Sequence, residues 1–108
     1  MFTVMEMEKY SQIIILSDSY NINEENILVL NEEVTLIDDM HISTKDCNYT
    51  FDYLIFTDVL KIKNFRSTNI LHEDNVPVTN FFHQTTYENI YYPINGNINE
   101  ALENIMEE

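Results

Sequence analysis

The chain has 108 residues, is 44% hydrophobic, and carries a formal net charge of −14 from 19 acidic and 5 basic side chains. That size allows one domain with one core, residues 1–108, of which residues 1–11 are expected as a flexible N-terminus; the apolar content is too high for a disordered chain. So acidic a surface repels phosphate, which excludes direct nucleic-acid binding by counterion release and disfavours anionic membranes.

The first residues, MFTVMEMEKY, are acidic and lack the basic start of a secretory signal. No apolar run approaches the roughly 20 residues that span a bilayer. Cys47 is the only cysteine, so no disulfide forms within the chain. A cytoplasmic protein is expected.

Strand signals dominate. Residues 12–16 (QIIIL) form a short β-branched run bounded by polar residues, as in a buried strand. A polar connection, 17–26, leads to a second apolar run at 27–30 (ILVL). Residues 33–38 (EVTLID) and 40–44 (MHIST) alternate around Asp38 and Asp39, which predicts a hairpin. After a turn at 45–48 (KDCN) comes the strongest strand, 49–57 (YTFDYLIFT). Alternation puts Phe51, Tyr53 and Ile55 on one face and Leu54 and Phe56 on the other. A strand apolar on both faces is central.

Pro77 confines residues 76–79 (VPVT) to a sheet edge. Residues 89–92 (NIYY) read as a further short strand ended by Pro93. Residues 97–108 read as a helix capped by Asn97 or Asn99, with Ile98, Ala101, Leu102 and Ile105 on one face and fraying at Glu107 and Glu108. The fold class is α/β or α+β: a small mixed or antiparallel sheet, strand-rich, covered by a C-terminal helix. Its core is residues 13–16 and 27–30, Val34, Leu36, Phe51, Tyr53, Leu54, Ile55, Phe56, Leu102 and Ile105.

The chemistry is narrowed by what is missing. Gly96 is the only glycine, so neither a dinucleotide-binding loop nor a P-loop can form in its usual shape. His41, His72 and His83 share no recognised metal-ligand spacing, and no metal is expected. Cys47 sits in a turn beside acids that oppose a nucleophilic thiolate. Glu24, Glu25, Glu32, Glu33, Asp38 and Asp39 are paired carboxylates in polar turns, where water rather than a facing acid is their neighbour. No catalytic residue is assigned. Phe81, Phe82, Tyr87, Tyr91 and Tyr92 are denser than a small core needs, and an exposed anchor patch for a protein partner is the sharper reading. With the six acids just named they form the candidate partner-binding set, and the charge favours a partner with a basic surface.

Several of these segments, in order, resemble the later part of the pyridine-nucleotide–disulfide oxidoreductases, the thioredoxin-reductase-like family. Asn26, Ile27, Val29, Leu30 and Val34 match one strand pair, and Asp52, Leu54 and Ile55 match the next strand. Gln84, Thr85, Ile90 and Tyr91 match the closing motif before the last helix. In the family a glycine and an aspartate then hold the flavin; here those positions are Ile94 and Asn95. Asp58 stands where the family has a small residue and glycine, and the N-terminal glycine loop and cysteine pair are absent. The resemblance implies a reduced, non-enzymatic relative without cofactor, acting through protein contacts. Two alternatives stand beside it: an acidic, DNA-mimic-like inhibitor of a nucleic-acid-binding enzyme, and residual flavin or nucleotide binding. Edge strands and exposed tyrosines leave room for a homodimer.

Overall fold

The computed structural model describes residues 7–107. Residues 1–6 and Glu108 lie outside the described residues. The fold is a mixed sheet with one C-terminal helix, as the pattern predicts. Strand β1 (Met7–Leu16) is longer than its apolar core and takes in residues 7–11 of the expected flexible terminus. It pairs in parallel with β2 (Ile27–Leu30) on one side and with β5 (Cys47–Phe56) on the other. Ile13, Ile14, Ile15 and Leu16 are buried on both faces, which is why they read as a continuous apolar run instead of an alternation.

The hairpin β3 (Thr35–Asp38) and β4 (His41–Ser43) turns at Asp39 and Met40, and β4 joins β5 antiparallel. The Asp38 carboxylate accepts the Met40 N–H at 2.8 Å and lies 2.7 Å from His41 Nδ1. Cys47 is not in the turn expected at 45–48; it is the first residue of β5 and is buried. Thr44 makes that tightening possible, because its hydroxyl accepts the Cys47 N–H at 3.1 Å.

Beyond residue 50 the β4 edge of β5 is taken over by a short strand, β8 (Ile90–Tyr91), running parallel. Asn89 fills the seam. Its side-chain amide donates to the carbonyls of Asp39 at 2.6 Å and Asp52 at 3.0 Å. The expected alternation along β5 breaks at this change of neighbour. Phe51 packs with Leu54 and Phe56, whereas Ile55 and Tyr53 pack on the opposite face.

Two cores result. The helix α1 (Ile98–Met106) buries Ile98, Ala101, Leu102 and Ile105 against Ile13, Ile15, Ile55 and Tyr91. Asn97 caps it, accepting the Glu100 N–H at 3.2 Å. The other face is closed by Ile62, Phe65 and Ile70 from the connection after β5. That connection also shields the β3 edge: Asn64 accepts from Leu36 N at 2.9 Å and donates to Leu36 O at 2.8 Å. Strands β6 (His72–Glu73) and β7 (Val76–Pro77) form a separate hairpin. Asp74 and Asn75 turn it with φ of 52° and 65°, the conformation two-residue hairpin loops need. Among the described residues no helix is long and apolar enough to cross a membrane.

Candidate partner-binding site

The expected aromatic set divides in two. Tyr91 is 1% exposed and belongs to the core, which corrects its place in the candidate set. The reason is β8: a strand inserted beside β5 and beneath α1 has no open face. Tyr87 and Tyr92 are half-buried and pack on the Phe56 side of the sheet. Burial, and then the charge of Asp58, push the Tyr92 phenol above its usual value. Phe81 and Phe82 stay outside, at 93% and 55% exposed.

A five-residue sequence, NFFHQ, builds the loop that carries them. Asn80 organises it. Its side-chain oxygen accepts from Phe82 N at 2.9 Å and Gln84 N at 3.0 Å, and its amide donates to Gln84 Oε1 at 2.7 Å. Its backbone N–H donates to Gln84 O at 3.0 Å, and its carbonyl accepts from His83 N at 3.1 Å. Asparagine suits this position because a short amide can satisfy a turn's own backbone. His83 takes the left-handed conformation, φ 69°, unusual for a residue with a Cβ. The loop is tied outward too. Tyr92 N donates to His83 O at 2.8 Å, and Asn104 on α1 donates to Phe82 O at 3.1 Å. The two rings meet edge to face, centroids 6.0 Å apart.

His83 lies under the loop with its side chain 15% exposed. Its Nε2 is 3.3 Å from Glu100 Oε1, but without hydrogen-bond alignment, so both ring nitrogens lack a hydrogen-bond partner among the described residues. Next to the loop, Phe82, Gln84, Tyr91, Asn104 and Glu107 line a recess of about 270 Å³. Asn104 is not singled out by sequence, and Gln84 and Glu107 read only as a motif match and as a fraying helix end. The available signal was the Asn-to-Gln spacing around two adjacent phenylalanines.

The six candidate acids, Glu24, Glu25, Glu32, Glu33, Asp38 and Asp39, are all exposed, and so is every other carboxylate among the described residues. They are not gathered into one cluster with the phenylalanines; they flank β2 and the hairpin turn. Slight burial would raise the Asp38 carboxyl, but the hydrogen bonds from Met40 and His41 hold it below the usual carboxylate range. Lys61 pairs with Asp18.

No family model, curated protein or solved structure matches this chain.

The turn before α1 contains the positions compared with a flavin site. Ile94 and Asn95 are exposed. Gly96 has φ +69°, and a Cβ built on it would meet nothing within 4 Å. The glycine thus serves the backbone conformation of the turn, and no described atom of the chain approaches it closely. Among the described residues no three His, Cys, Asp or Glu side chains stand together as a metal-ligand group.

Proposed function

We propose that this chain is a non-enzymatic, acidic binding module that holds a protein partner through the Phe81 and Phe82 loop. One observation carries the reading: an almost wholly exposed phenylalanine on a loop braced by Asn80 and Asn104. Aromatic anchors dominate binding energy at interfaces, and a loop already fixed in shape loses little entropy on binding. The partner presents a basic surface. A Lys or Arg entering the recess beside Phe82 meets an aromatic ring and the Glu107 carboxylate together. The φ of +69° at Gly96 supports a structural turn there. The single cysteine and acidic composition support a cytoplasmic setting.

A second reading is an acidic inhibitor seated in a groove that normally receives nucleic acid. Its support is the stretch 17–44, which holds seven acids (Asp18, Glu24, Glu25, Glu32, Glu33, Asp38 and Asp39) and no Lys or Arg. Binding of that kind weakens with salt and is displaced by an oligonucleotide.

The test is affinity purification from the native cell with wild type and with F81A/F82A, at low and high salt. The reading expects a stoichiometric partner on wild type that the double variant loses. An identical set of bound proteins for both would sink it.

A further inference from the structure

Strand β2 ends the sheet. Its register with β1 is fixed, because Ile13 N donates to Asn26 O at 3.1 Å and Ser17 N donates to Leu30 O at 3.1 Å. In a parallel pair alternate residues face the neighbour. Residues 26, 28 and 30 therefore bond β1, and Val29 turns its N–H and C=O away from the sheet. Among the described residues neither group has a hydrogen-bond partner. The opposite edge is treated differently. There Asn64 occupies both Leu36 backbone groups, and Val34 exchanges 2.8 Å bonds with Lys61 and Lys63. Among the described residues the chain closes β3 with its own loop and leaves β2 open.

The open edge is also charged at both ends. Glu24 and Glu25 precede β2, Glu32 and Glu33 follow it, and all four are exposed. Leu28 and Val29 are half-buried on opposite faces, so each leaves apolar surface for an added strand to cover.

We propose that β2 accepts an extended, Lys- or Arg-bearing segment of a partner protein as an added strand. Main-chain bonds form at Val29, and cations at the ends of the segment meet the two glutamate pairs. A second copy of this chain fits poorly. Antiparallel β2-on-β2 pairing would set the Glu24/Glu25 pair of one copy against the Glu32/Glu33 pair of the other. This surface is distinct from the phenylalanine loop, and it stands or falls without it.

The test titrates the whole chain with a synthetic octapeptide, Val-Thr-Val-Thr flanked by two lysines at each end, read by amide NMR. Expected are shifts centred on residues 27–31 and slowed hydrogen exchange at the Val29 amide. V29P removes the outward donor and trades the half-buried valine side chain for a proline ring, a change an edge strand tolerates, and should weaken binding about five- to tenfold. A peptide with glutamates in place of the lysines should not bind. Equal binding by V29P or by the glutamate peptide overturns the proposal. So do an unchanged Val29 exchange rate and protein-concentration-dependent shifts at Val29 without peptide, which would give the edge to a second copy. If V29P does not fold, the wild-type exchange rate at Val29 decides by itself.

Discussion

Asn104, on the last turn of α1, donates its side-chain amide to the carbonyl of Phe82 at 3.1 Å. This bond joins the helix that covers one core to the loop that carries the exposed phenylalanines. It makes the presentation of Phe82 depend on helix docking. N104A should cost about 1 kcal/mol of stability and weaken partner binding less than F81A/F82A does. Chemical denaturation and the affinity purification described above read the two effects separately.

Asn80 holds the loop more directly. Asn80→Ala leaves Phe82 N and Gln84 N without their acceptor, at a cost of about 1–2 kcal/mol, and frees the loop. Asn80→Asp keeps the acceptor and should recover much of the loss. Equal denaturation midpoints for wild type and the alanine variant would remove Asn80 from this role.

Gly96 is needed for its backbone angle only. Gly96→Ala meets no atom within 4 Å, so its whole cost is the φ of +69°, about 1–2 kcal/mol. Gly96→Asn should cost less, since asparagine visits that conformation more readily. A thermal melt ranking alanine above asparagine would contradict this.

Asn89 bonds two carbonyls where β5 exchanges β4 for β8. Asn89→Leu leaves both without that donor and should cost about 1–3 kcal/mol. Hydrogen exchange should then speed up at Ile90 and Tyr91 ahead of Ile14 and Ile15.

Asp38 gives a pH dependence with a definite sign. Hydrogen bonds from Met40 and His41 hold its folded pKa below the ordinary aspartate value of 3.8. Its contribution to stability is therefore present above the unfolded pKa and is lost as pH falls through the folded one. The carboxylate is exposed, so solvent keeps the effect small. D38N should cost a little stability at neutral pH and less at acid pH, so the acid limb of the stability curve flattens slightly. A loss at acid pH equal to or larger than that at neutral pH would contradict the assignment.

Much of the fold was legible because its signals are local. The β-branched runs mark β1 and β2, the Asp38-Asp39 break marks the hairpin, and Asn97 with Ile98, Ala101, Leu102 and Ile105 marks α1. What was not legible depends on distant partners. Nothing near Tyr91 in sequence says that β8 inserts beside β5, and that insertion buries it. Phe51 changes face for the same reason, since its neighbour across the strand changes at residue 52. Within the site, Phe81 and Phe82 stood out by aromatic density. Asn80 and Asn104 did not, because single asparagines carry no periodicity and this chain has many. The acids were legible as solvated turns, but their arrangement around an open β2 edge required the strand order.

The most direct measurement places a photoreactive benzoyl-phenylalanine at position 81 in cells, with the same group at Leu60 as an exposed control. The account predicts one discrete protein adduct from position 81 and none of that mass from position 60. The same adduct from both positions, or no adduct at position 81, would contradict it.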